Sequence, residues 1–229
     1  MSSGDIKVAE RILMGELKEL QKENWVTAEP RNGNLFIWDV ALVVVNPTSM
    51  YHGAYLKGEL KMPRTYPMSP PEFRFLRPIL HPNIYKDGKL CISILHPPGE
   101  DELSGEKASE RWSPAQRIFT VLISILSLLD DAETSSPANV DAGVMLRNNP
   151  DLYKLKVKDC VEQSKQDIPE GFVMPTAEVK PPAKVVEDDD FWHDSDEYSE
   201  YGSGEDDEDM EFDTDDDQDD SNDSEDSKN

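Results

Sequence analysis

Cysteine and histidine are scarce in this chain of 229 residues: Cys91 and Cys160 are the only thiols, and the histidines are His52, His81, His96 and His193. Two cysteines exclude a disulfide framework as the fold's main support and suit a reducing compartment. Four scattered histidines make no metal-ligand cluster, so no metal site is expected. Long apolar runs are also missing, none approaching the ~18 residues that span a bilayer. The opening MSSGDIKVAERILMGELKEL carries acids throughout and has no apolar stretch of signal-peptide length. No membrane association is expected, and a place in the cytoplasm and nucleus follows. Basic residues are nearly absent from one region. Residues 187–229 hold 23 Asp/Glu and one Lys, a balance of -22 within the total of -25, whereas residues 1–186 hold 25 Asp/Glu against 22 Lys+Arg. The chain therefore reads as a nearly neutral body with a polyanionic tail. A block of like charge that long repels itself and resists compaction, so a disordered tail is expected. Such a tail argues against nucleic acid as a partner and for a basic protein.

A body of roughly 170 residues is ample for one hydrophobic core. Over residues 5–22, Val8, Ile12, Leu13, Leu17 and Leu20 recur at three- and four-residue steps, which predicts a helix. From Trp25 to Phe75 the pattern changes to strands and turns. Phe36–Val45 reads as a strand with Trp38, Val40, Leu42 and Val44 alternating; Ala54–Lys61 and Glu72–Leu76 read as two more. A four-strand antiparallel meander is the simplest topology. Six prolines between 62 and 83 make that span rigid loop. Helical pattern returns at Pro114–Leu129, again from Ser136-Pro137-Ala138 to about Leu146, and from about Asn149 to Ser164. The expected organisation is a folded body over 1–165, a Pro-rich linker over 166–186 and the acidic tail over 187–229.

The chemistry-bearing stretch is His81-Pro82-Asn83-Ile84-Tyr85-Lys86-Asp87-Gly88-Lys89-Leu90-Cys91, followed by Trp112-Ser113-Pro114. An isolated intracellular cysteine is most often a buried structural thiol. Here the His-Pro-Asn turn upstream, the Trp-Ser-Pro downstream and Tyr66-Pro67-Met68-Ser69-Pro70-Pro71 together resemble the ubiquitin-conjugating enzymes over residues of about 6–165. The resemblance implies an α+β fold: an N-terminal helix, a four-stranded antiparallel sheet and C-terminal helices. It implies that Cys91 takes ubiquitin from the activating enzyme as a thioester and passes it to a lysine of a substrate or of ubiquitin. No cofactor is bound, ATP being used by the activating enzyme. A thioester is already activated, so the reaction needs chiefly oxyanion stabilisation and a positioned, deprotonated amine. The resemblance gives Asn83 the oxyanion task; holding the cysteine loop is an equally open role for it. His81 is expected to fix the turn rather than act as a base.

Several departures from the commonest family pattern occur together: Ser69 where many members have Lys, Ser93 and Ser136 where many have Asp, and about a dozen extra residues before Trp112. With the acidic tail, these resemble the cell-cycle-type subfamily that works with cullin–RING ligases and builds degradative chains. An acidic insertion is commonly a plain solvated loop. Its position beside Cys91 makes Glu100, Asp101, Glu102, Glu106 and Glu110 candidates for guiding the acceptor ubiquitin, with Tyr85 a further candidate. By resemblance, the first helix, Met62-Pro63 and Ser113-Pro114-Ala115 form the ligase-docking surface, Met62 as an apolar anchor or else as core. Phe191, Trp192, Tyr198, Tyr201 and Phe212, interleaved with the tail's acids, favour an interaction role for it. The competing reading is a non-catalytic, acidic-tailed binding protein or chaperone for basic partners, which leaves the spacing of His81, Asn83 and Cys91 unexplained.

Overall fold

The computed structural model describes residues 3–99 and 106–176. Glu100, Asp101, Glu102 and the tail from 187 lie outside the described residues. The first helix, α1, spans Ser3–Leu20. Ala9, Leu13, Glu16 and Leu20 form its buried face, while Val8, expected on that face, is exposed. The strands are β1 (Val26–Pro30), β2 (Ile37–Val43), β3 (Tyr55–Lys61) and β4 (Glu72–Phe75), joined as the expected antiparallel meander in the order β1-β2-β3-β4. Trp38 pairs with Leu60, Val40 with Gly58 and Leu42 with Leu56, so the inward residues of β2 and β3 coincide in register. Gly58 is required where it stands: a Cβ there would come 2.3 Å from the Phe73 ring on β4.

Three helices follow: α2 (Ile118–Asp130), α3 (Val140–Asn148) and α4 (Pro150–Ser164). Two begin later than the Ser-Pro signals suggest. Pro114 and Ala115 form an exposed turn, and α2 opens only after Arg117, whose N–H donates to Thr120 Oγ1 at 3.1 Å. The Ile118 N–H donates to the buried Glu16 carboxylate at 2.7 Å. Likewise α3 starts after Asn139, not at Ser136: the Asn139 side chain accepts from the Ala142 N–H at 3.2 Å, a better cap than Ser136 offers. Asn149 caps α4 as its position predicts, accepting from Leu152 N–H at 3.1 Å. Leu13, Trp38, Leu42, Leu60, Ile118, Leu122 and Ile125 fill the core between sheet and helices. Among the described residues, no helix is long and apolar enough to cross a membrane.

The outer face of the sheet is divided. At one end Asp39, Glu59 and Arg74 stand in line across β2, β3 and β4. Glu59 is paired with Arg31, with Lys61 at 2.8 Å and with Arg74 at 3.3 Å, while Arg31 also pairs with Asp39. At the other end Ala41, Val43 and Tyr55 are buried beneath Ile168, Phe172 and Met174. Phe172 packs edge-on against Tyr55 with ring centroids 5.3 Å apart, and Arg77 holds Asp167 through two bonds of 2.8 and 3.0 Å. The first part of the segment read as a linker thus forms a packed strip on the sheet. Alternation along β2 gives way there, because Ala41 and Val43 have a cover of their own.

Candidate active site

The segment between β4 and Cys91 is folded back on itself. Tyr85 N–H donates to Lys89 O at 2.8 Å, Gly88 N–H to Tyr85 O at 2.9 Å, and Asp87 accepts from Lys89 N–H at 3.1 Å. Gly88 lies at φ +87 with its Cα against the end of β4: a Cβ there would sit 2.1 Å from Phe75 O. Only glycine makes this turn without displacing the strand. Past the turn, Cys91 N–H donates to Asn83 O at 2.9 Å, which ties the thiol-bearing residue to the His-Pro-Asn turn.

His81 is 0% exposed, and its Nδ1 accepts from the Asn83 N–H at 3.0 Å. Nδ1 is therefore unprotonated and the proton sits on Nε2, which makes no hydrogen bond of ordinary length. Burial dominates, outweighing weak support for the charged form from the Leu128 carbonyl and Asp130, and pushes this histidine down to about 4. It is a neutral structural element at physiological pH. Tyr51 reinforces the same turn, donating to Leu80 O at 2.6 Å.

Asn83 is 3% exposed, and its amide clasps the loop before α3: Nδ2 donates to Glu133 O at 3.0 Å and Oδ1 accepts from Glu133 N–H at 2.8 Å. Asn139 N–H adds a bond to Pro82 O at 2.8 Å. This reciprocal pair bonds backbone groups of the loop before α3 rather than of the cysteine loop, and it uses one of the two amide hydrogens of Asn83. Ser136 sits exposed on the clasped loop. Lys86 and Asp141, at the start of α3, pair across the same opening at 2.8 Å.

Cys91 itself is half-buried. Burial pushes its thiol up, the Glu106 carboxylate pushes it the same way, and a hydrogen bond from the exposed Tyr85 opposes both. Burial and the neighbouring carboxylate thus favour the neutral thiol over the thiolate. Ser93 begins a single 3-10 turn, Ser93–Leu95, and its hydroxyl donates to Glu106 Oε1 at 3.0 Å. His96 Nδ1 lies 2.8 Å from Glu106 Oε2, and Arg111 Nε donates to the same oxygen at 3.0 Å. Burial opposes ionisation of Glu106, but the bonds from His96, Ser93 and Arg111 prevail and hold its carboxyl below the ordinary value.

Cys91, Tyr85, Asn83, His81, Ser93 and Glu106 are thus brought together. Others expected at the site have local duties. Glu110 accepts from Lys107 N–H at 3.2 Å, inside its own turn. Ser69 accepts from Thr65 Oγ1 at 2.9 Å, within the loop between β3 and β4. The docking assignment of Met62 is corrected: it is 5% exposed and belongs to the core, since its backbone continues β3 by pairing with Phe36 and turns the side chain inward. Pro114 and Ala115, by contrast, line a hollow with Arg11, Ile12, Gly15 and Glu16 of α1. Sequence reading overlooked Glu16, whose burial beneath that hollow is invisible in a lone Glu between Gly15 and Leu17. It also overlooked Arg111, which belongs to no motif.

The model of a family described as ubiquitin-conjugating enzyme matches residues 12–161. Among curated proteins, the chain is 49% identical over 174 residues to the ubiquitin-conjugating enzyme E2-34 kDa of Saccharomyces cerevisiae, a match that covers 72% of this chain and 59% of that protein. The chain thus spans about three fifths of that relative's length. It is 38% identical to the ubiquitin-conjugating enzyme E2 7 of Arabidopsis thaliana, covering 69% of this chain and 96% of the relative. Among solved structures, a ubiquitin conjugating enzyme E2 domain from Toxoplasma gondii aligns with a TM-score of 0.57 at 28% identity, covering 66% of this chain and 96% of that one.

Proposed function

The chain belongs to the ubiquitin-conjugating enzymes, and from that membership we propose that Cys91 accepts ubiquitin from the activating enzyme as a thioester and passes it to lysines of substrates or of ubiquitin. The observation that carries this reading is the setting of Cys91: a half-buried thiol between Tyr85 and Glu106, with its backbone fixed to Asn83. In the first step the Cys91 thiolate attacks the carbonyl of the activating enzyme's thioester; a new C–S bond forms and the donor cysteine leaves as thiolate. In the second, a lysine amine attacks, the amide C–N bond forms as the C–S bond breaks, Cys91 leaves as thiolate, and the proton lost by the amine nitrogen returns it to the thiol. A raised thiol pKa makes Cys91 a reluctant leaving group, which favours a thioester that persists until an amine is positioned. The reading needs no bound cofactor, ATP being used by the activating enzyme.

The partner is a cullin–RING ligase and the product a degradative ubiquitin chain. The insert beside Cys91 and the tail of acids and aromatics support this finer reading, as does likeness to the yeast E2-34 kDa enzyme. The hollow between α1 and Pro114-Ala115 is the surface offered to the ligase and, by turns, to the activating enzyme. The polyanionic tail supplies long-range attraction to a basic partner surface, with strong salt dependence. The chain works in cytoplasm and nucleus. The test is a charging reaction with activating enzyme, ATP and ubiquitin, resolved without reductant. A thiol-labile adduct that Cys91→Ala lacks is expected; a wild-type chain that stays unmodified would refute the reading.

A further inference from the structure

Arg111 carries no role in the reading above, yet its side chain is only 12% exposed and stands where the insert rejoins the body. Its Nε donates to Glu106 at 3.0 Å and its Nη1 to the carbonyl of Gly99 at 3.4 Å. Gly99 and Glu106 both lie within the insert, so one guanidinium ties two separate points of it together. A planar fork can serve two acceptors in fixed directions; an ammonium on a flexible stem holds them far less well. The Glu106 carboxylate extends the hold to the turn after Cys91, taking the Ser93 hydroxyl on one oxygen and His96 Nδ1 on the other. With its proton given to Glu106, the Ser93 oxygen has only lone pairs left to offer. Ser93 is two residues from Cys91, and an amine attacking a thioester there brings N–H groups that require an acceptor.

We infer that Arg111 is a positioning residue of the transfer step: by holding Glu106 against Ser93 and His96, it ties Gly99 and Glu106 of the insert together and leaves Ser93 an acceptor for the incoming amine. The inference rests on the thioester reading, and its test separates the two. The full chain and its Arg111→Lys variant are charged by the activating enzyme. The activating enzyme is then stopped, and loss of ubiquitin to free lysine is followed over a range of lysine concentrations. The variant is expected to charge as the wild type does, to keep its thermal midpoint within a few degrees, and to discharge roughly tenfold more slowly, the scale of one lost bond to a charged group. Slowed discharge beside unchanged charging and an unchanged midpoint is a readout that a merely structural tie would not move. Wild-type discharge by Arg111→Lys would overturn the inference, and so would charging and discharge that fall together with the thermal midpoint. A wild-type chain that never charges would instead sink the thioester reading beneath it.

Discussion

Protonation of His81 should make the fold acid-sensitive in a window that can be calculated. In the folded chain this imidazole is fully enclosed and held down at about 4 by burial, against 6.5 for a free histidine. Between those values the unfolded chain binds a proton that the native chain does not, so stability rises with pH across the window and is lost as pH falls from 6.5 toward 4. The shift corresponds to about 3 kcal/mol in all, of which about 2 kcal/mol is lost between about pH 7 and about pH 5. Below about pH 4 both states are protonated and this contribution stops changing. Glu16, whose buried carboxyl is raised, works in the opposite sense over part of the range, so the wild-type curve alone does not isolate the histidine. The comparison with His81→Asn does. An asparagine oxygen can accept from the N–H two residues on, as His81 Nδ1 does from Asn83, and it does not titrate. Urea unfolding followed by tryptophan fluorescence gives both stabilities. The variant is expected to be the weaker protein at neutral pH, through lost packing, with the gap narrowing by about 2 kcal/mol at about pH 5. A gap independent of pH would refute the account, because every other titrating group is common to the two chains.

Glu16→Ala removes the acceptor of both the Ile118 N–H and the Tyr66 hydroxyl in a buried position, and should cost about 2–4 kcal/mol by urea titration. Asn83→Asp keeps an acceptor for Glu133 N–H but cannot donate to Glu133 O; a loss of about 1–3 kcal/mol is expected, with faster amide exchange across residues 131–139. Gly88→Ala meets a positive φ and a carbonyl at 2.1 Å together, so the thermal midpoint should fall and Cys91 alkylation should change as the turn shifts. An unchanged midpoint in that variant would show that the turn yields freely.

The meander and the site were legible in the sequence for different reasons. Strand β2 announces itself through Trp38, Val40 and Leu42, a period that burial enforces. Cys91, Asn83 and His81 could be found because a turn, an amide and a thiol at fixed spacing make a specific pattern. The starts of α2 and α3 were misplaced because Ser-Pro is only a local preference. The actual caps depend on tertiary partners, Glu16 from a distant helix for one and a folded-back asparagine for the other. Met62 reads as a docking anchor with core filling as the alternative, and its direction decides for the core. Arg111 was hidden for a similar reason: an arginine between Glu110 and Trp112 looks like any surface charge until Gly99 and Glu106 close around it.

The strip from Asp167 to Met174 gives the sheet two outer surfaces with opposite tolerances. At the Asp39–Glu59–Arg74 end, a new apolar side chain would strand carboxylates and guanidinium groups from their partners. At the Ala41–Val43–Tyr55 end, a new charge would be driven beneath the apolar cover of Ile168, Phe172 and Met174. Neighbouring positions on the same strand, Asp39 and Ala41, therefore obey opposite rules although their side chains leave the same side of the sheet. Substitution patterns on β2 should change character within two residues, a boundary set by an eight-residue stretch more than 120 positions further along the chain.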